Sequence, residues 1–145
     1  NFIKNKMTEN LEVLRNLIIK HHNIDVKVKK RDRHIVDLKK IFCLIAYNQI
    51  KDFNYTKVGK FLLLNHATII HHVKSAKHLL EYDFDFKQKY NNTEENFFLI
   101  SKDVMVQQVE SEIYLCEKRI EYLKKQRNYI LEKSKIIENE ITENL

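Results

Sequence analysis

The sequence predicts an all-α protein in which a helix-turn-helix core is joined to a long C-terminal helix. Its 145 residues include one Gly and no Pro, the two residues that mark turns most strongly. A β-sandwich or barrel would need turn residues roughly every 8–12 positions, and the chain does not have them. Apolar residues instead recur at helical spacing along most of its length.

Two longer helices are predicted ahead of the helix-turn-helix. The first covers about residues 8–21 and the second about residues 35–50, with a polar and very basic segment at 23–34 between them. The apolar face of the first helix consists of Leu11, Leu14, Ile18 and Ile19. The apolar face of the second consists of Ile35, Leu38, Ile41, Phe42, Ile45 and Ala46.

Asn54 and Asn65 predict the starts of two further helices, because asparagine is a preferred N-cap residue. The shorter helix covers residues 55–62 and the next extends to about Leu80, with only a few residues between them. This spacing is typical of a helix-turn-helix motif. Gly59 lies inside the shorter helix, where Gly costs about 1 kcal/mol relative to Ala. Its presence there predicts a close approach of another backbone segment.

A long helix is predicted from residue 101 to the end of the sequence. Apolar side chains recur there in alternating steps of three and four, the pattern of a coiled-coil seam of about five heptads. At 1.5 Å per residue this helix spans on the order of 60 Å, too long to be covered by a small domain. The seam consists of Val106, Val109, Ile113, Cys116, Ile120, Leu123, Ile130, Ile137 and Ile141.

The seam predicts a partner helix and leaves three arrangements open. They are a homodimer, a hairpin with the first helix of the same chain, and docking on a second protein. Arg127 and Ser134 interrupt the seam, and polar residues at such positions tend to fix register at some cost. They favour a low oligomer, and we expect a homodimer.

The domain boundaries follow from these elements. A helical domain is assigned to residues 1–90, with the helix-turn-helix at about 54–80. Residues 91–100 are assigned as a linker and residues 101–145 as the long helix. The polar segment at 81–96 is interpreted as a linker whose aromatic residues dock on the core; these are Phe84, Phe86 and Tyr90.

The charge is unevenly distributed along the chain. Residues 1–80 hold 16 Lys and Arg against 6 Asp and Glu, which gives +10, and residues 81–145 hold 10 against 14, which gives −4. The two parts add up to the formal net charge of +6. A strongly basic half indicates a polyanionic partner, and nucleic acid is the commonest one.

The helix that begins at Asn65 has one apolar face and one polar N-terminal end. Short polar and methyl-bearing side chains occur at that end, and a recognition helix contacts base edges with its N-terminal residues. Asn pairs with adenine, and Ala or Thr contacts the thymine methyl group. The core face consists of Ile69, Val73, Ala76 and Leu80, and the predicted contacts are Asn65, His66, Ala67, Thr68, His71 and Lys74.

Two segments resemble a known family. Residues 58–74, VGKFLLLNHATIIHHVK, resemble the signature of the C-terminal DNA-binding domain of the bacterial replication initiator DnaA, roughly IG…FxxRDHTTVLHAxRK. Residues 31–46, RDRHIVDLKKIFCLIA, resemble its basic loop and following helix, roughly RxRxIVRPRQIAMYLA. The resemblance covers about residues 27–80 and implies a helix-turn-helix that binds double-stranded DNA.

The resemblance also implies roles for basic residues. Arg31 matches an arginine that family members insert into the minor groove, and Lys39 matches an arginine that contacts phosphate. Arg33 is expected to reach the minor groove beside Arg31. The remaining basic contacts, expected on phosphates or at the groove edge, are Lys29, Lys30, Lys40 and Lys74. By itself, such a basic run is more often a solvated loop, and Asn65 is also an ordinary N-cap.

Departures from the family pattern change what is expected. Asn65 stands where the family has Asp, which turns an acceptor into a donor and acceptor, so the preferred base should change. The turn is about one residue shorter and carries Leu62, Leu63 and Leu64 in place of glycines and Arg. No GxxxxGK[ST] loop occurs in the sequence. The resemblance therefore implies the DNA-binding module without the initiator's ATPase module.

Other classes of site are not expected. Histidines 21, 22, 66, 71, 72 and 78 contain no i, i+4 pair and there is no CxxC, so no metal or cofactor is predicted. No constellation of catalytic residues is recognisable, so an enzyme is not expected. No apolar run reaches the roughly 18 residues of a membrane span. Cys43 and Cys116 are expected to pack as small hydrophobic residues in a reducing cytoplasm.

The sequence thus predicts a sequence-specific double-stranded-DNA-binding protein, bacterial or phage-encoded, that acts as a transcriptional regulator or a replication accessory factor. The alternative is a structural or adaptor protein, such as a phage assembly component, in which the long helix is the functional surface. A second protein partner for that helix stays open.

Overall fold

The computed structural model describes residues 6–144, and in that range the chain is all-α, as predicted, with five helices and no strand. The helices are α1 (Lys6–His22), α2 (Arg33–Gln49), α3 (Tyr55–Leu62), α4 (His66–Tyr82) and α5 (Phe84–Glu143). The predicted bounds of α3 are confirmed, and those of α1, α2 and α4 are correct to within about two residues, the usual uncertainty of helix ends.

The core lies around α2, which packs against α1 on one side and α4 on the other. The predicted apolar face of α2 is buried over its whole length, from Ile35 to Ala46. On α1 the prediction is correct for Leu11, Leu14 and Ile18, but Leu17 is buried where Ile19 was expected. Burial of these faces is the main source of stability for a domain of this size.

Residues 81–96, interpreted as a linker, are helical on both sides of Asp83, and residues 91–100, also assigned as a linker, lie inside α5. The carboxylate of Asp83 accepts a hydrogen bond from the backbone N–H of Phe86 at 3.1 Å, so the helix begins there. Phe86, Tyr90 and Phe97 are buried at steps of four and seven, which is helical spacing. Phe84, by contrast, is 71% exposed, and its predicted docking on the core is wrong.

The chain divides into two compact units, residues 1–101 and residues 102–145. The second unit consists of the C-terminal part of α5, where every residue from 111 to 144 is exposed. Cys116 is therefore exposed in the single chain, contrary to the expectation that it packs, whereas Cys43 is fully buried as predicted. Among residues 6–144 no helix is long and apolar enough to span a membrane.

Candidate nucleic-acid interface

The helix-turn-helix consists of α3, a three-residue turn and α4, and both predicted caps are confirmed. The Asn54 side chain accepts hydrogen bonds from the backbone N–H groups of Thr56 and Lys57 at 2.9 and 3.1 Å. The Asn65 side chain accepts one from the N–H of Ala67 at 2.9 Å. Each cap satisfies donors that an α-helix leaves unpaired at its start.

The turn between α3 and α4 passes directly over Gly59. A Cβ atom added at Gly59 would lie 2.7 Å from the carbonyl oxygen of Leu64 and 3.4 Å from the backbone nitrogen of His66. The close backbone approach predicted for Gly59 is therefore confirmed. The Leu64 N–H also donates to the Gly59 carbonyl at 2.8 Å, so the turn packs closely against the backbone of Gly59.

Leu63 ends α3 in an unusual backbone conformation. Its φ and ψ of 59° and 39° are left-handed, a region that costs a non-glycine residue roughly 1–2 kcal/mol. The side chain is 64% exposed, so burial does not offset that cost. No residue of the turn indicates this conformation in advance, because the left-handed position after a helix is usually taken by Gly or Asn.

The faces of α4 divide as the sequence predicted, with Ile69, Val73 and Ala76 buried in the core and Leu80 only half-buried. Thr68 is half-buried. The remaining contacts predicted on this helix and its cap are exposed; they are Asn65, His66, Ala67, His71 and Lys74.

His72 is the buried histidine of α4. Burial lowers its pKa to about 4, with further lowering from the charges of Lys40, His71 and Lys39, so the ring is neutral at pH 7. Its Nδ1 atom is buried and has no hydrogen-bond partner among the described residues. Because the ring is neutral at pH 7, it does not repel the ammonium groups of Lys39 and Lys40 nearby.

The basic segment between α1 and α2 is held at two points. The first is Asp25, whose two carboxylate oxygens accept from the Arg15 guanidinium at 2.9 and 2.6 Å. This pairing lowers the pKa of Asp25 and raises that of Arg15. Val26 next to it is fully buried in the core. The segment is thus anchored, although Lys29, Lys30 and Arg31 beyond it are exposed.

The second anchor is Lys39 on α2. It is only 6% exposed, and its ammonium group donates a hydrogen bond to the carbonyl of Val28. Burial lowers its pKa. Lys39 was predicted to contact phosphate. In the structure its ammonium group instead bonds to the backbone of the basic segment.

One groove brings the two sequence motifs together. It has a volume of about 410 Å³ and lies between the basic segment, the turn after α3 and the first turns of α4. The predicted contacts that line it are Lys29, Lys30, Arg31, Lys39 and Thr68. Its other lining residues are Val36, Leu62, Leu63, Leu64 and His72.

Three predicted basic contacts lie outside the lining of this groove; they are Arg33, Lys40 and the exposed Lys74. Lys40 is half-buried on α2 and acts on the charge state of His72. Arg33, the first residue of α2, is highly exposed but forms an ion pair with Asp83 at 3.4 Å. Asp83 therefore competes for the guanidinium that was expected to enter a minor groove. No cluster of three metal-ligating side chains occurs within residues 6–144.

Comparisons with known proteins point to one group. No known family profile matches the chain. The chromosomal replication initiator protein DnaA of Bacteroides thetaiotaomicron is 32% identical over 82 residues, and that of Bacteroides fragilis is 30% identical over 83 residues. Each aligned region covers 54% of this chain but only 17% of the relative. These matches support a DnaA-like relationship for about half of the chain.

Proposed function

We propose that this chain binds double-stranded DNA sequence-specifically, through the groove between the basic segment and α4. The observation that carries the proposal is the groove itself, because it joins Lys29, Lys30 and Arg31 to Thr68 and His72 in the first turns of α4. The exposed polar side chains of those turns lie beside the groove; they are Asn65, His66 and His71. Basic side chains beside a recognition helix give phosphate contacts that fix its register, while the helix contacts base edges.

We assign the region similar to DnaA to that family's C-terminal DNA-binding domain. The two sequence segments at 31–46 and 58–74 support this assignment. The roles of the initiators as whole proteins do not transfer with it. We propose a transcriptional regulator or replication accessory factor, without catalytic activity of its own.

Individual roles within the interface follow from the contacts. Asn65 uses its carbonyl oxygen for the cap, which leaves its NH₂ group as a donor toward a base or phosphate. Arg31 is proposed to enter the minor groove, with Lys29 and Lys30 on phosphates. For Lys39 we propose a supporting role in place of the phosphate contact, because the side chain is only 6% exposed and its ammonium group bonds the carbonyl of Val28.

The first experiment is enrichment of randomised duplex DNA by the purified chain at physiological salt, followed by sequencing. Salt is fixed because a basic protein binds any duplex when salt is low. We expect a defined motif. The Asn65→Ala, His66→Ala double variant should bind that motif more weakly by roughly 1–3 kcal/mol per lost base contact. Asn65 also caps α4, so circular dichroism of the variant is compared with the parent, and the two helical contents should match. An unenriched pool, or equal binding by the variant, would contradict the proposal.

A structural or adaptor role is the second candidate, and one observation favours it. Leu115, Tyr122, Tyr129 and Ile136 recur every seven residues on α5 and are all 50–66% exposed. They lie outside the seam, so pairing through the seam leaves them uncovered. Replacing all four with Gln tests this role, because on the DNA-binding proposal both the DNA motif and the oligomeric state are unchanged. Loss of a complex with another protein, with DNA affinity intact, would support the adaptor role.

A further inference from the structure

The C-terminal part of α5 carries an uncovered seam whose apolar members are 44–63% exposed. We infer that residues 102–144 pair with the same segment of a second copy in antiparallel orientation, with Ile120 opposite the partner's Leu123. The inference rests on the homodimer expected for the proposed function and adds its polarity and register. It is carried by the seam residues and by the charges that flank them.

Arg127 argues against a parallel pair. In a parallel, in-register coiled coil each seam residue meets its own copy, so Arg127 would meet the partner's Arg127 inside the seam. Two like charges in a partly desolvated layer repel each other. In the antiparallel pair Arg127 lies opposite the partner's Cys116, next to the partner's Glu117, an acceptor of opposite charge.

The flanking charges also disfavour the parallel pair. In that arrangement, the residue just before each seam position that recurs every seven residues from Val106 faces the partner residue five positions further on. Glu112 would face the partner's Glu117, and Arg119 the partner's Lys124. Both contacts are between like charges, and only Lys133 with the partner's Glu138 is favourable.

The antiparallel pair reverses this balance. With Ile120 opposite the partner's Leu123, Glu117 faces the partner's Lys124, and Glu112 faces the partner's Lys133. The twofold axis repeats each of these favourable contacts. The like-charge contact in this arrangement, Asp103 with the partner's Glu138, falls near the end of the pair, where solvent screens it.

The flanking charges select the register as well. Shifting the partner by one heptad in one direction brings Lys124 opposite the partner's Lys124. A shift in the other direction brings Glu117 opposite the partner's Glu117. The register with neither clash also stacks apolar layers: Val106 on the partner's Ile137, Ile113 on Ile130 of the partner subunit, and Ile120 on Leu123 of the partner subunit.

This polarity has a consequence for DNA binding. Each copy enters the helix pair at residue 102, and in an antiparallel pair those two points lie at opposite ends. The two DNA-binding units are then attached about 60 Å apart along the pair, given a rise of 1.5 Å per residue. A parallel pair would attach them side by side, as two adjacent half-sites require.

Native Cys116 gives a direct test in the full chain, since Cys43 is buried and free. A disulfide needs Cα atoms roughly 4.4–6.8 Å apart. In a parallel pair the two Cys116 residues share a layer and cross-link on oxidation. In the antiparallel pair they are offset by eleven residues, about 16 Å, and do not.

The decisive variant is Arg127→Cys, which places a thiol opposite the partner's Cys116 in the antiparallel pair. We expect the parent chain to stay at 17.6 kDa on non-reducing gels after mild oxidation, and the variant to shift to twice that mass. Arg127→Cys combined with Cys116→Ser is the matched control and should not shift.

Each other outcome overturns a different statement. Cross-linking of the parent through Cys116 would overturn the antiparallel orientation. A dimer in sedimentation with no cross-link in the Arg127→Cys variant would overturn the register. A monomer in sedimentation that still selects a DNA motif would overturn the dimer but leave the DNA-binding proposal intact.

Discussion

The ammonium group of Lys39 on α2 donates a hydrogen bond to the backbone carbonyl of Val28 in the basic segment. The lysine is 6% exposed, and a buried ammonium without an acceptor would carry a large desolvation cost. The contact therefore ties the basic segment to the core at a point immediately before the exposed residues Lys29 and Lys30.

Lys39→Met is expected to weaken DNA binding without removing a phosphate contact. Met keeps the packing of the buried stem but cannot bond to Val28, so the segment loses an anchor worth on the order of 1–3 kcal/mol, as for hydrogen bonds with a charged donor. DNA affinity should fall, while the slope of log affinity against log salt concentration should stay at its parent value.

Lys30→Met is the matched control, because Lys30 is exposed at the groove. Loss of one phosphate contact should make the salt dependence shallower by about 0.9 in slope. If Lys39→Met produces the shallower slope and Lys30→Met does not, the two roles are reversed.

Gly59→Ala is expected to destabilise the protein, although Ala is the better helix former. The added Cβ would meet the Leu64 carbonyl oxygen at 2.7 Å, and a backbone atom cannot move away without opening the turn. We expect a loss of about 2 kcal/mol or more in the free energy of unfolding, larger than the roughly 1 kcal/mol gain in helix propensity. Urea denaturation measures it, and exposed Lys60→Ala on the same helix is the control, expected within about 0.5 kcal/mol of the parent.

Leu63→Gly is expected to stabilise the fold. Gly adopts the left-handed conformation of Leu63 without steric cost, so the substitution removes a strain of roughly 1–2 kcal/mol. Gly also gives the unfolded chain more conformational freedom, which lowers stability by up to about 1 kcal/mol. Little burial is lost because the side chain is 64% exposed. The free energy of unfolding should therefore rise by a few tenths to about 1 kcal/mol. Leu64→Gly is the control and should destabilise, because Leu64 packs against the core.

A combination of higher stability and weaker DNA binding in Leu63→Gly would be informative in its own right. Leu63 lines the groove, and strained residues often occur at functional sites. Unchanged stability would mean that the left-handed conformation carries no cost here.

The helices and the motif were predictable because each has a local signal. Asn54 and Asn65 are caps whose side chains bond within the next few residues, and the apolar faces of α2 and α4 repeat within a few turns. Gly59 was interpretable since a glycine inside a helix needs a reason. These features depend on short stretches of chain, which a sequence displays directly.

What was missed depends on contacts between distant residues. Nothing near Lys39 in the sequence indicates that the Val28 carbonyl accepts a hydrogen bond from it, and nothing near Arg33 indicates its ion pair with Asp83. The start of α5 was missed because Phe86, Tyr90 and Phe97 are spaced among Asn, Asp and Glu, so tertiary packing outweighs a polar local composition.

His72→Leu is expected to remove part of the loss of stability in acid. The pKa of His72 is about 4 in the fold and near 6.5 in the unfolded chain, so between these values the unfolded state binds more protons. Stability therefore falls as pH decreases from about 6.5 to 4, by on the order of 2–3 kcal/mol for this group. Urea denaturation at several pH values should give a flatter profile for His72→Leu.

His71→Leu is the comparison for that experiment, because His71 is exposed on the same helix. Its charge only adds to the lowering of the His72 pKa by burial, so His71→Leu should flatten the profile less than His72→Leu does. Burial also lowers the pKa of His22, and this histidine makes the same contribution to the acid sensitivity of the parent, His72→Leu and His71→Leu. Parallel profiles for the parent and His72→Leu would show that His72 is not the responsible group.

Asp83→Asn is expected to increase DNA affinity by releasing Arg33. The ion pair is 3.4 Å long and its arginine is 84% exposed, so breaking it should change stability by less than about 1 kcal/mol. Asn retains an oxygen that can accept from the Phe86 N–H, as Asp83 does at 3.1 Å, so the start of α5 should be preserved.

The released guanidinium, no longer neutralised by a carboxylate, should add about 0.9 to the steepness of the salt dependence if it meets a phosphate. A gain in affinity with an unchanged salt dependence would indicate that Arg33 contacts base edges in the minor groove instead of a phosphate. Glu81→Gln makes the same change in net charge at an exposed residue near the end of α4, so it separates the release of Arg33 from a general gain in positive charge. If Glu81→Gln raises the affinity as much as Asp83→Asn, Arg33 is not the contact that Asp83 restrains.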